Sequence, residues 1–292
     1  MIVLLPIGLV ALALFGAVTL AVHHWPRQDP MAPRIPAGLI DLEVHRHPGL
    51  ARFLRRRIDP GLLTGLVLTA VAGGMVGFGL VLVMVRDQFG LAGFDLGAAE
   101  WAAQVASDAG ARILMWISQI GGTETMIAAG VIVLVVEHRR IPSRPAAGLL
   151  VLTLAGQAAL SNLTKWLVDR SRPNLDQLSG HWGSAFPSGH ATTAAATFAV
   201  LALLLGRGRS RTVRALLAGA AAGAAGAVAA SRVLLGVHWL TDVVGGLLLG
   251  WTWFALCSMA FGGRRLHFGE PAEQAEADAD ALVTDESLPS TR

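Results

Sequence analysis

Tyrosine is absent from this chain, and cysteine and lysine each occur once. A single cysteine excludes an intrachain disulfide framework. Cys257 falls in the last apolar run, where it reads as a small packed hydrophobe. Charge is scarce as well, at 15% of residues, whereas soluble domains carry about 25%. The net charge is +3, and the arginines are scattered among connections, so nothing argues for nucleic acid as a partner. The other 22 basic residues are arginine. Against that bias, the one lysine, Lys165, marks a place where a compact ammonium group is needed.

What the sequence has instead is apolar length. Hydrophobic residues make up 53% of 292 positions, with a mean hydropathy of +0.56. A bilayer core of about 30 Å needs roughly 20 apolar residues as helix. Seven runs approach that length: 2–22, 62–85, 113–136, 146–168, 188–205, 216–235 and 239–261. No alternating barrel pattern appears, so the expected fold is all-α, a polytopic transmembrane helix bundle. The sixth run is crowded with glycine and alanine, which favours close helix packing in lipid.

Arginine placement orients the bundle. Clusters at Arg52 and Arg55–Arg57, at Arg139, Arg140 and Arg144, at Arg207 to Arg214, and at Arg264–Arg265 fall on every second connection. Those connections are expected to be cytoplasmic. Connections 86–112, 169–187 and 236–238 then lie outside, with the N-terminus outside and the C-terminus inside. Run 2–22 has no basic leading region and no clear cleavage site, so it reads as a retained helix. Residues 23–61 carry several prolines and little periodicity and read as a cytoplasmic linker. A six-span core follows over 62–263. Residues 264–292 form an acidic tail poor in aromatics, expected to be disordered. Within the outer connection, FDLGAAEWAAQVASDAG has the makings of a short amphipathic helix on the membrane surface.

This parity brings three polar stretches to one face. KWLVDRSRP, from Lys165 to Pro173, ends the fourth run. Lys165 and Arg172 share a face if the helix persists for two turns. PSGH, Pro187 to His190, opens the fifth run. SRVLLGVHWLTD, Ser231 to Asp242, crosses the last outer hairpin, with His238 and Asp242 spaced i,i+4. The turn around Gly236 can fold Arg232 back beside His238. Such groups suit phosphoryl transfer. Lys165, Arg172 and Arg232 are cations that clamp phosphate oxygens, the arginines bidentately. Ser188 and Gly189 stand at a helix start, where open N–H groups and the dipole favour an anion. Only His238 has a carboxylate one turn away. Oriented by Asp242, it is the better nucleophile and would form a phosphohistidine. His190 is then the general acid for the leaving group and, in the second step, the base that activates water.

K-x6-RP, PSGH and SR-x5-H-x3-D resemble the three signature motifs of the type-2 phosphatidic acid phosphatase (lipid phosphate phosphatase) superfamily. The resemblance covers about residues 62–261 and leaves the first span, the linker and the tail outside it. It implies a six-helix core, no metal and no other cofactor, a phosphohistidine intermediate and lipid phosphate substrates. The leading expectation is therefore a bacterial membrane hydrolase acting at the outer face. Undecaprenyl pyrophosphate, phosphatidylglycerol phosphate and phosphatidic acid are the candidate substrates. A lipid phosphotransferase would share every motif. A transporter or lipid scaffold would fit the spans but would not need both histidines. Haloperoxidases use a similar oxyanion pocket but are soluble.

The remaining polar residues have plainer readings. Pro173 supports the motif, and Ser231 either joins the site or only caps and supports Arg232. Glu124 reads as a packing partner or polar lining within the third run. Asp169, Arg170 and Asp176 read as loop charges, and His181 as a solvated loop residue. His23–His24 and the His45/His47 pair lack a fixed metal-ligand set and face the other side. Trp182, Trp239, Trp251 and Trp253 fit interface anchoring and packing.

Overall fold

A computed structural model describes residues 4–24, 62–105, 107–140, 144–174 and 183–262. The expected linker and acidic tail, with Asp176, His181, Trp182, the His45/His47 pair and two of the arginine clusters, lie outside these residues. Among those described the regular secondary structure is all helix, with no strand, because lipid offers no partner to open backbone groups. The helices are α1 (Leu4–His24), α2 (Leu62–Asp87), α3 (Asp95–Val105), α4 (Asp108–Ile120), α5 (Thr123–Arg140), α6 (Arg144–Val168), α7 (Gly189–Leu205), α8 (Arg211–Leu234) and α9 (Leu240–Gly262). A short 3₁₀ turn, Gly90–Phe94, precedes α3. Five helices are long and apolar enough to cross a membrane, and α4 with α5 supplies a sixth crossing if the bent pair is one span. Helix α7 is apolar but shorter, at 17 residues.

The third run departs from the expected single helix. It begins earlier, at Asp108, and is bent by 48° between α4 and α5. The break falls at Gly121–Gly122, where two residues without side chains hold the helix least well. The Gly121 N–H turns back to the Ser118 carbonyl (3.0 Å), and the Met126 N–H restarts the ladder on Gly122 (2.9 Å). Glu124 consequently sits exposed in the first turn of α5 rather than deep in a span.

Helix α7 is the centre of the bundle, packed by α5, α6, α8 and α9. Its inner surface is alanine and threonine, and Ala191, Ala194, Ala195 and Ala196 are fully buried. Small side chains let four neighbours approach at once. The same device docks α1, which lies outside the expected core, onto α8. A Cβ at Gly219 would lie 2.6 Å from the Phe15 carbonyl, and one at Gly223 would lie 2.8 Å from that of Ala11. Near the N-terminal end of α1, Ile7 joins Ala102, Leu114, Leu234, Leu235 and Val237 in one buried cluster. The first helix therefore buttresses the hairpin between α8 and α9.

Helix α3 does form within the expected surface segment, with Leu96 and Trp101 exposed. It does more than lie on the membrane. Asp95, Ala99 and Ala102 are buried, so its inner face closes over the ends of α8 and α9.

Candidate active site

The Lys165 to Pro173 motif divides between a helix and a turn. Helix α6 ends at Val168 and Asp169 takes φ 43°, a left-handed conformation that aspartate tolerates. The two-turn helical spacing between Lys165 and Arg172 is therefore not what unites them. Residues 169–174 instead run beside 183–188. The Arg170 N–H donates to Ser184 Oγ (3.0 Å), and the Ala185 N–H donates to the Arg170 carbonyl (2.7 Å). Lys165 Nζ and Arg172 then meet at one acceptor, the Ser184 carbonyl, at 3.2 and 3.5 Å. Pro173 is buried beneath them.

Arg172 is the link to the last hairpin. Its Nε donates to the Gly183 carbonyl (3.0 Å) and its Nη1 to the Val237 carbonyl (2.7 Å). The same Nη1 lies 3.3 Å from His238 Nε2. Burial lowers the Arg172 pKa from its ordinary value and the Asp242 carboxylate opposes the shift. The hairpin is formed by a helix-ending motif. The Gly236 N–H bonds the Val233 carbonyl (2.9 Å), the Val237 N–H bonds that of Arg232 (3.3 Å), and Gly236 takes φ 68°. This turn delivers His238 to the end of α9 with its Nδ1 3.4 Å from Asp242 Oδ2. Both residues are buried. An Nδ1–H held by the carboxylate leaves the Nε2 lone pair directed towards Arg172.

PSGH opens α7 with Ser188 as its cap residue. The Ser188 N–H donates to the Asp242 carbonyl (3.0 Å), tying this helix start to that of α9. Gly189, His190 and Ala191 follow in the first turn, where no intrahelical carbonyl precedes their N–H groups. A Cβ at Gly189 would meet nothing within 4 Å, and His190 is half-buried. Arg232, in the last turn of α8, donates from Nη1 to Ser118 Oγ (2.7 Å). Its Nε and Nη2, like Ser188 Oγ, are buried without a hydrogen-bond partner among the described residues. Lys165, Arg172 and Arg232 are close enough to repel one another. Ser231 turns away, donating to the Val228 carbonyl of its own helix (2.7 Å).

Several participants carried no sequence signal. Ser184 acts through its backbone carbonyl, and Ser118 reaches Arg232 from the broken third run. Arg170 is a partly buried partner of Asp95, Thr241 and Asp242, not a solvated loop charge. Trp239 also does more than anchor: its Nε1 donates to the Ser171 carbonyl (2.8 Å) and its ring lies 5.5 Å beneath Arg170. Trp253 packs as expected, its indole donating to the Leu152 carbonyl (3.2 Å).

Residues 146–265 match the model of the PAP2 superfamily. The chain is 37% identical to phosphatidylglycerophosphatase B of Bacillus subtilis over 116 residues, 37% of this chain and 55% of that one. It is 35% identical to lipid A 1-phosphatase of Rhizobium johnstonii over 117 residues, 37% of this chain and 44% of that one. The chain thus spans about half the length of these relatives. Among solved structures, the transmembrane PAP2-type phosphatidylglycerolphosphate phosphatase of Bacillus subtilis superposes with a TM-score of 0.57 at 23% identity, covering 64% of this chain and 94% of that one. That likeness is one of fold. Three polar motifs are thus gathered at one end of a helical bundle, within the stretch of this chain that is similar to the PAP2 superfamily.

Proposed function

We propose that this protein is an integral membrane phosphatase that removes phosphate from a lipid phosphate or diphosphate through a phosphohistidine on His238. The observation that carries this reading is a set of buried polar groups without hydrogen-bond partners among the described residues, on the ends of α7 and α8 that adjoin the His238 hairpin. A buried guanidinium with two unpartnered nitrogens and a buried unpartnered hydroxyl call for an oxyanion, because buried polar groups left unpaired are costly. A phosphoryl group held there meets Arg172 and His238 together, 3.3 Å apart.

The His238 Nε2 lone pair attacks phosphorus, and the phosphorus–oxygen bond to the lipid breaks. The electron pair leaves on that oxygen, and imidazolium His190 gives it a proton. Neutral His190 next takes a proton from water as the water oxygen attacks the phosphohistidine. The nitrogen–phosphorus bond breaks, its electron pair returns to Nε2, and orthophosphate departs. Asp242 holds Nδ1–H throughout and stabilises the charge that phosphorylation places on the ring. Lys165, Arg172, Arg232 and the α7 start neutralise the developing charge on the phosphoryl oxygens.

The test is phosphate release by the purified protein from phosphatidylglycerol phosphate, phosphatidic acid and undecaprenyl pyrophosphate in mixed micelles containing EDTA. Release of orthophosphate from at least one of them, undiminished by the chelator, is expected. Activity restored only by added magnesium would overturn the metal-free mechanism, and no release from any would overturn the hydrolase reading.

The outer-face placement is part of the proposal and rests on the alternating arginine clusters. Ser171 is exposed on the site side and Arg209 on the opposite connection, while the native Cys257 is buried. In spheroplasts, Ser171→Cys should react with an impermeant maleimide, and Arg209→Cys should react only after lysis. The reverse pattern would place the site in the cytoplasm.

A further inference from the structure

Arg170 is pinned along its whole length. Its backbone is fixed on both sides by Ser184 and Ala185. Its Nη1 donates to Asp242 Oδ1 (2.5 Å) and Thr241 Oγ1 (2.8 Å), and its Nη2 donates to Asp95 Oδ2 (2.7 Å). Asp95 in turn takes the Thr241 N–H on Oδ1 (2.9 Å) and the Thr241 hydroxyl on Oδ2 (2.6 Å). Each group thus has a complementary role, with Thr241 accepting from the guanidinium and donating to the carboxylate. The other oxygen of Asp242 receives the Trp239 N–H (2.9 Å) and faces His238 Nδ1. Both carboxylates are almost fully buried. The two buried carboxylates share one cation, and only a planar fork can serve both at once.

We infer that Asp95 and Arg170 are positioning residues for the proposed reaction: together they hold Asp242 in the one orientation from which its second oxygen aligns His238. The inference rests on the phosphatase reading and deepens it. Arg170 spends its Nη1 and Nη2 on Asp242, Thr241 and Asp95, whereas the phosphate falls to Lys165, Arg172 and Arg232. Asp95 is the first residue of α3, so the outer surface helix is wired through one carboxylate to the histidine that attacks. The site is completed by a connection remote in sequence from all three motifs.

The experiment compares full-length parent, Arg170→Lys, Asp95→Asn and the double variant in detergent, with melting temperature as the check on folding. A lysine supplies one point charge and cannot bridge two carboxylates. Arg170→Lys should therefore lower kcat by roughly 10²-fold, the order that a misplaced reacting group costs. KM and the inhibition constant of orthophosphate should stay within about threefold, because the phosphate cations are untouched. Asp95→Asn should lower kcat by about tenfold, and the double variant should be no worse than Arg170→Lys, as expected for residues acting as one unit. A folded Arg170→Lys with the parent's kcat overturns the inference. A rise in the orthophosphate inhibition constant that matches the fall in kcat also overturns it, since Arg170 would then be a phosphate ligand. Should Arg170→Lys fail to fold, Asp95→Asn decides on the same two readouts. If the parent itself releases no phosphate, the hydrolase reading falls separately. The clamp is then judged from the ¹⁵N-histidine spectrum, where the His238 Nδ1 proton, identified by its loss in His238→Gln, should persist in the parent and broaden in Asp95→Asn. An unchanged signal there defeats it.

Discussion

His238→Ala should release phosphate at least about 10⁴-fold more slowly than the parent, the scale on which enzymes lose rate when a nucleophile is removed. It should also show no acid-labile phosphoprotein after incubation with ³²P-labelled substrate. The expectation follows from the hydrogen-bond frame. Nδ1 faces Asp242 at 3.4 Å, which leaves Nε2, 3.3 Å from Arg172 Nη1, as the nucleophilic atom. His190→Ala should behave differently, because its proposed work is protonating the leaving oxygen. Its defect should be large for an alkyl phosphate and shrink for an aryl phosphate, whose leaving group needs little protonation. A phosphoprotein persisting in His238→Ala would assign the nucleophile elsewhere, and a His190→Ala defect independent of the leaving group would remove that residue as the acid.

Gly246→Val should also lower the rate, through packing rather than by removing a catalytic or phosphate-binding side chain. A Cβ at Gly246 would lie 2.7 Å from the Ser188 carbonyl, 3.0 Å from Ala191 Cβ and 3.1 Å from Thr192 Oγ1. The first of these is backbone and cannot turn aside. Any accommodation must push the start of α7 off α9 and stretch the bond from the Ser188 N–H to the Asp242 carbonyl (3.0 Å). That bond sets the spacing of the two helix starts, and therefore of His190 from His238. Overpacking of this kind costs about 1–3 kcal/mol. The accompanying displacement should reduce kcat by about 10²-fold or more. Gly79→Val is the control, since a Cβ there meets nothing within 4 Å. Parent-like turnover by Gly246→Val would show that the two helix starts are not held by this contact.

The side chains of the three motifs were legible because each is a charged or hydroxyl-bearing residue in an otherwise apolar text, where such residues are expensive and stand out. Arginine parity then placed them on one side without any knowledge of the packing. What lay beyond reach had no such contrast. Arg170 and Arg172 stand two apart in one polar connection, and nothing local says which is buried. The answer lies in Asp95, 75 residues upstream. Ser184 contributes a carbonyl, a group that every residue has. The bend at Gly121–Gly122 was hidden because hydrophobicity continues through it, and periodicity is blind to a change in helix direction. The shared helical face of Lys165 and Arg172 was conditional on helix persisting for two turns, and the helix ends at Val168. The union is made instead by a turn beside Gly183 and Ser184.

The seating of α1 on α8 also dictates an order of events during synthesis. Gly219, Gly223 and Gly226 form the groove that receives Val10, Ala11, Leu14 and Phe15, yet α1 ends at His24 and α8 begins at Arg211. At a translation rate of about 5–20 residues per second, α1 waits roughly 10–40 s in the bilayer before its groove has been made. It can wait because it is a complete span with its backbone bonds closed internally. Its docking is therefore a lateral encounter between two inserted helices, governed by shape rather than by exclusion of water. Since the same encounter buries Ile7 against Leu235 and Val237, the hairpin bearing His238 is buttressed only once α1 has found a helix made long after it.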